Sequence, residues 1–206
     1  MIRSSIVLAC SLCAAAAAAA EPAPLLAKID AASRATQSLS AEFTQKNRMK
    51  LFKQELSAKG RLLFHAPRQI RWEYLSPDPS VLVLDGNKAQ MRSPGTPAQM
   101  FDLDKDATMR AVFDQLLTFV GGGSIASAQS AYALDAQGKP NAPVLVLTPK
   151  AGSAIAKTFA RIELGFDDKT QVRSIHLVEQ NGDEKEIAFG RVVRNGALAA
   201  DAFHID

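Results

Sequence analysis

The feature that most constrains this chain is an alternation of apolar and polar residues that begins at Leu39 and recurs along most of the remaining sequence. In the first such stretch Leu39, Ala41 and Phe43 alternate with polar neighbours, which is the period of a strand with one buried face. Turn signals such as Asp85-Gly86 and Asn181-Gly182 separate the stretches, so successive strands are expected to pair antiparallel. The pattern predicts about ten or eleven strands, and an antiparallel sheet of that size must curl or close.

Three segments show helical spacing instead. Pro24–Leu39 fits an amphipathic helix, and Ala107–Val120 predicts a second one that Gly121–Gly123 ends. A short helix is predicted over Ser124–Gln129, and a last strand over Ala202–Ile205. The predicted fold class is therefore mainly β (α+β), a single antiparallel sheet with one helical insertion available to cover its open side.

The first twenty residues are typical of a targeting segment. Arg3 supplies a positive charge, an apolar stretch follows, and an alanine run up to Ala20 offers a cleavage site, so residues 1–20 are predicted to be a secretory signal peptide. The apolar stretch is shorter than the roughly 20 residues that a membrane span needs. Removal of the signal would take Cys10 and Cys13 with it and leave residues 21–206 as a single domain without a disulfide. A lipid anchor on either cysteine fits the residues before it poorly.

Charge and the chemistry-bearing residues argue against several function classes. The formal net charge is +3, or +2 without Arg3, and the basic residues are dispersed, so no nucleic-acid partner is expected. Asp102–Asp106 resembles the start of a calcium loop but lacks the required glycine and glutamate, which favours a turn that caps the next helix. His65, His176 and His204 lack metal-ligand spacing. We therefore expect no catalytic residue, no metal and no cofactor, and the chain is not expected to be an enzyme.

The apolar strand faces are more extensive than the predicted helices can cover. One alternating set of strand residues and one side of the second helix could together line a concave surface. From the periodicity alone, ordinary core is favoured over a ligand cavity. The candidate lipid-binding residues on this surface are Phe43, Leu62, Phe64, Ile70, Trp72, Leu82, Leu84, Met91, Met109, Phe113, Leu116 and Leu117.

The order of several short motifs resembles a known family. The first motif is Phe-Thr-Gln, within Ser40–Lys46. The segment Gly60–Gly86 then contains, in order, Gly-Arg-Leu, a proline followed by Arg-Trp-Glu-Tyr, a further proline and Asp-Gly. A last motif, Val-Leu-Thr-Pro-Lys, lies at Val146–Lys150. This order resembles the periplasmic lipoprotein carrier family (LolA-like). The resemblance implies an unclosed antiparallel β-barrel of about eleven strands with a helical lid over a hydrophobic cavity. It also implies a periplasmic carrier, expected to be a monomer, that takes acylated lipoproteins or lipids from an ATP-driven inner-membrane complex to an outer-membrane acceptor.

Two departures from the family pattern leave alternatives open. Family members carry an arginine directly before the strand-preceding proline, and it bonds to carbonyls of the lid helix; here Ala66 stands in that place, and Arg68 or Arg71 is the candidate latch. The chain ends at Asp206, where typical carriers continue through a tail rich in proline and glycine. The alternatives are a dedicated carrier of a polyene lipid or glycolipid, a lipoprotein-sensing domain on the same fold, or an outer-membrane receptor anchored through a lipidated cysteine.

Overall fold

The computed structural model describes residues 22–51, 54–120 and 123–204. The predicted signal peptide, residues 1–20, lies outside the described residues. Two short 3₁₀ helices, Ile125–Ser130 and Ala154–Lys157, lie in connections. The other elements, in chain order, are α1 (Pro22–Arg34), β1 (Ser38–Met49), β2 (Gln54–His65), β3 (Gln69–Ser76), β4 (Ser80–Asp85), β5 (Lys88–Arg92), β6 (Gln99–Asp102), α2 (Ala107–Val120), β7 (Tyr132–Lys139), β8 (Ala142–Pro149), β9 (Phe159–Phe166), β10 (Val172–Glu179) and β11 (Glu184–Arg194).

The strands of the described residues form one eleven-stranded sheet in the order β6-β5-β4-β3-β2-β1-β11-β10-β9-β8-β7. Every neighbouring pair is antiparallel. β6 and β7 are the two edges and do not pair with each other, so the sheet stays unclosed. The chain passes from one edge to the other through α2 and the first 3₁₀ helix. The predicted fold class, an unclosed antiparallel barrel covered by a helical insertion, is confirmed.

Cross-strand register shows which residues share a face of the sheet, because every second residue of a strand lies on the same side, and burial identifies the inward face. One row of directly paired residues runs across six strands as Val192, Ala41, Leu62, Trp72, Leu82 and Met91. The next row runs across seven strands as Arg194, Leu39, Phe64, Ile70, Leu84, Ala89 and Phe101. We call the inward-facing residues of the sheet the inner wall. Most of them belong to one continuous hydrophobic core with α1 and α2.

α1 ends at Arg34, earlier than the predicted Leu39. Leu39 belongs to β1, where it pairs with Phe64 and lies on the inner wall. The helix end is tied by the Thr36 hydroxyl, which donates to the carbonyl oxygen of Ala32 at 2.8 Å. Leu39 fits both the helical period of α1 and the period of two of β1. Its pairing with β2 places it in the strand.

α2 has the predicted bounds, Ala107–Val120. Its N-terminus is capped by Asp106, whose carboxylate accepts a hydrogen bond from the backbone N–H of Met109 at 2.9 Å. The preferred interpretation of Asp102–Asp106, a turn that caps the helix, is therefore confirmed. Gly121 and Gly122, part of the predicted stop, lie outside the described residues.

The prediction of a strand over Ala202–Ile205 is wrong for the described part of that segment, which forms a turn. The described part lies beside the end of β2, which already pairs with both β1 and β3, so no free strand edge is available to it. Phe203 is instead buried, with its ring centre 6.4 Å from that of His65.

Candidate functional site

The eight strand residues predicted to line a concave surface all lie on the inner wall. Phe64, Ile70 and Leu84 are completely buried at its centre. Leu82 is partly buried, and Met91 lies at the rim with 40% of its surface exposed. Register and burial therefore place these eight residues on the inward face of the sheet.

An aromatic cluster forms one end of the inner wall. The Phe43 ring centre lies 4.8 Å from that of Trp72 and 5.4 Å from that of Tyr74. Phe43 lies directly over Gly60, where an added Cβ would overlap both the Phe43 ring and the carbonyl oxygen of Glu73. The missing side chain of Gly60 therefore provides the space that the aromatic cluster occupies.

Polar atoms accompany this cluster. The Tyr74 hydroxyl donates to the side-chain oxygen of Gln45 at 2.8 Å, and Gln45 is itself buried. Burial raises the pKa of Tyr74, while the nearby Trp72 and Gln45 side chains act in the opposite direction. The Trp72 indole Nε1 is buried and makes no hydrogen bond of normal geometry within the described residues.

α2 covers the inner wall with its apolar side. Phe113 and Leu117 are buried, as are Phe119 and Val120 near the end of the helix. The predicted residues Met109 and Leu116 are partly buried against the same core.

In the arrangement that the structure shows, the space under α2 is filled. Two cavities beneath its C-terminal turn have volumes of about 30 Å³ and about 10 Å³. Spaces of this size hold a water molecule or two, not an acyl chain. The apolar side chains of α2 therefore occupy the interior themselves.

Two polar contacts tie α2 to the sheet. The first is an ion pair in which Arg68 Nη1 lies 2.8 Å from Asp114 Oδ1 on the outward side of α2. Arg68 Nε also donates to the carbonyl oxygen of Gly86 at 3.3 Å. Arg71, the other latch candidate, faces away from the interior and pairs with Glu73 at 3.4 Å. Of the two predicted candidates, the structure brings Arg68 to the helix.

The second contact comes from β7. The Tyr132 hydroxyl donates to the side-chain oxygen of Gln115 at 2.6 Å. Burial raises the pKa of Tyr132 to about 12, and the hydrogen bond to Gln115 offsets only part of that effect. α2 is thus held from the turn between β2 and β3 and from the edge strand β7.

The sequence-based list missed the inner wall of β7–β11. Leu145, Leu147, Ile162 and Leu164 are almost fully buried there. Their alternation was sufficient to predict strands, but nothing in the sequence showed that these strands close around the same interior. Long-range pairing of β1 with β11 brings the two halves together.

The described residues contain no group of histidine, cysteine or acidic side chains able to hold a metal ion. His176 lies on the outer face, with its ring nitrogens 3.3 Å from Glu163 and 3.3 Å from Glu184. Within the described residues, none of the helices has the length and apolar character needed to cross a bilayer.

An unclosed antiparallel barrel with an apolar inner wall under one amphipathic helix is the architecture that the motif order implied. The family described as outer membrane lipoprotein carrier protein LolA matches residues 34–206, and the chain belongs to this family.

Relatives identified by sequence agree with this assignment. An outer-membrane lipoprotein carrier protein of Xanthomonas oryzae pv. oryzae is 30% identical over 180 residues, which cover 85% of this chain and 81% of the relative. The corresponding protein of Dechloromonas aromatica is 26% identical over 82% of this chain and 76% of its own. A chain in the complex structure of Pseudomonas aeruginosa MucA/MucB has a TM-score of 0.50 at 16% identity, covering 91% of this chain and 62% of that one; it shows the fold alone.

Proposed function

We propose that this protein is a periplasmic carrier that holds the acyl chains of lipoproteins between the inner wall and α2 and ferries them from the inner to the outer membrane. The mature protein would be the single domain of residues 21–206, acting as a monomer and not as an enzyme. The observation that supports this proposal is the apolar inner wall, which among the described elements is covered mainly by one amphipathic helix joined to the sheet through two polar contacts.

Energetics explain why such a cargo needs a carrier. Exposing an acyl chain of about fifteen methylenes to water costs about 12 kcal/mol, at about 0.8 kcal/mol for each methylene. This corresponds to a factor of about a billion in the equilibrium between membrane and water. Unassisted passage through an aqueous compartment is therefore negligible, and the cost is larger still for a cargo with several acyl chains.

The packed interior fits a closed, empty state of such a carrier. Phe113 and Leu117 of α2 fill the space that acyl chains would take. When the helix moves outward and acyl chains enter, one apolar covering replaces another, so the buried area of the inner wall changes little. The difference in free energy between the two states is then small enough for membrane partners to drive loading and release. Those partners would be a releasing complex at the inner membrane and an acceptor at the outer membrane.

The test is native mass spectrometry, with lipid extraction, of the protein isolated from the periplasm of a Gram-negative host. We expect a bound acylated peptide or lipoprotein. A polyene lipid or glycolipid would keep the carrier mechanism and replace the cargo. An empty protein that also takes up no hydrophobic dye would contradict the proposal and make the inner wall ordinary core.

A further inference from the structure

Arg194 interrupts an otherwise apolar row of the inner wall. It pairs with Leu39 at the end of β11, and the row continues through Phe64 and Ile70 with apolar residues only. A charged residue on the inward face of a central strand is uncommon, because burying a charge without a partner is costly. Its local environment shows whether the protein supplies that partner.

The guanidinium of Arg194 is only partly satisfied. Its Nη2 donates to the backbone carbonyl of Thr170 at 2.9 Å. Its Nε is buried and has no hydrogen-bond partner within the described residues. Burial lowers the pKa of Arg194, yet an arginine side chain remains protonated in proteins. Arg194 as a whole is partly exposed, but this unused donor of its positive charge is buried.

The acidic residue that acts on the charge of Arg194, Asp167, already has other hydrogen-bond partners. Asp167 acts on Arg194 electrostatically, but its carboxylate accepts from Arg173 Nε at 3.1 Å. It also accepts from the backbone N–H groups of Lys169 at 3.0 Å and Gln171 at 2.9 Å. The other charged group that acts on Arg194 is Arg173, which is also positive and therefore repels it. The described residues thus leave the charge of Arg194 without an ion-pair partner.

Arg194 borders one of the two small cavities beneath the last turn of α2. Arg194 lines the cavity of about 30 Å³, together with the hydroxyl-bearing residues Ser33, Thr36, Thr118 and Thr170. The second cavity beneath α2 shares four apolar lining residues with the first, namely Leu39, Phe119, Val120 and Val172. Phe119 and Val120 belong to the last turn of α2, so an outward movement of that turn would join the two spaces.

We propose that Arg194 is a head-group subsite for a single-chain anionic lipid, whose carboxylate or phosphate it binds while the chain lies along the inner wall beneath α2. The subsite rests on the proposed function, since α2 must give way to an acyl chain. A guanidinium presents several N–H donors in one plane and matches both carboxylate and phosphate oxygens. The ligand would supply the charge and the acceptor that the described protein groups do not.

The experiment compares ligands of matched chain length on the wild-type protein. Palmitate, hexadecanol and a lysophosphatidate with a palmitoyl chain, each below its aggregation limit, are titrated against a bound hydrophobic dye. We expect the anionic ligands to bind about tenfold to a hundredfold more tightly than hexadecanol, as charge-assisted hydrogen bonds contribute in that range. Tighter binding of palmitate identifies a carboxylate as the preferred head group, and tighter binding of lysophosphatidate identifies a phosphate.

Two variants assign the preference to the residue. Arg194→Met should abolish the preference for anionic ligands while hexadecanol still binds as in the wild type. Arg191→Met removes the same charge from an exposed position of β11 and should leave the preference intact. Equal binding of palmitate and hexadecanol by the wild type would overturn the subsite and leave the carrier function standing. Failure of every ligand to displace the dye would contradict both proposals.

Discussion

Among single residues, Gly60 leaves the space in which the Phe43 ring lies over the sheet. We expect Gly60→Ala to lower the free energy of unfolding by about 1–3 kcal/mol, because the added methyl group meets a backbone carbonyl as well as the ring. Gly190→Ala is the matched control, since its Cβ would meet only the carbonyl oxygen of Glu42 at 3.8 Å. Urea unfolding of both variants measures the difference. Equal unfolding midpoints would show that the aromatic cluster can shift to accept the methyl group.

Substitutions of Met91 and Met100 test which face of the sheet binds the acyl chain, because the two residues lie on opposite faces at its rim. Both are exposed, at 40% and 55%, on the adjacent strands β5 and β6. Met91 pairs with Leu82 in an inner-wall row, whereas Met100 pairs with Gln90 on the opposite face. We expect Met91→Glu to weaken binding of an acylated peptide several-fold, because a charge then borders the path of the chain, and Met100→Glu to leave it unchanged. Equal effects of the two substitutions, measured by fluorescence titration, would place the binding surface elsewhere.

The chain's two tyrosines, Tyr74 and Tyr132, both have pKa values raised by burial, that of Tyr132 to about 12. Their phenolate absorbance should therefore appear at higher pH in the folded protein than in the unfolded one. An unfolded tyrosine loses its proton near pH 10, so stability should fall as pH rises from about 10 to about 12. Tyr132→Phe should reduce that loss. A native titration indistinguishable from that of the unfolded chain would contradict the burial of both phenols.

At the scale of elements, the Arg68–Asp114 ion pair connects the turn after β2 to α2. Both side chains are partly exposed, so we expect Arg68→Ala to lower the free energy of unfolding by less than about 1 kcal/mol. The same substitution should raise the uptake of a hydrophobic dye, because α2 then leaves the inner wall more often. Arg71→Ala is the control, since Arg71 pairs with Glu73 on the outer face. Unchanged dye uptake in the Arg68 variant would remove the pair from the opening mechanism.

The elements themselves were largely predictable, because period-two alternation and turn signals are local. α2 kept its predicted bounds, whereas the end of α1 depended on the pairing of Leu39 with β2 and β11, which the local pattern does not contain. Ala202–Ile205 has strand composition, but its described part lies beside the end of β2, where no strand edge is free. Local propensity therefore predicted the elements, and topology determined where they stop.

The site was predictable only in part, for the same reason. The lining residues of β1–β5 followed from alternation together with the family resemblance, but alternation alone cannot show which face is inward. Asp114 as the partner of Arg68, and Arg194 as an inward charge, depend on contacts between residues far apart in the chain. Such contacts depend on strand register and on how the sheet curves around the interior, and neither produces a short motif in the sequence.

For the whole molecule, the arrangement predicts two levels of protection against hydrogen exchange. β1, β2 and β11 lie at the centre of the sheet, and each is paired on both sides. α2 is not part of the sheet; it is held by apolar packing, by its two polar contacts to the sheet, and by an ion pair between Arg110 and Asp104 of the preceding loop at 2.9 Å. We expect amides of the central strands to exchange most slowly and those of α2 markedly faster, because local opening of the helix leaves the sheet intact.

The same experiment tests whether opening is coupled to binding. Palmitate should speed exchange in α2, since the ligand displaces the helix from the inner wall, while the central strands stay protected. Arg68→Ala should speed exchange in α2 without ligand, because it removes one of the two polar contacts that join the helix to the sheet. If α2 were as protected as β1 and insensitive to palmitate, the helix would be a fixed part of the core. An interior that never opens could not exchange its own side chains for a cargo.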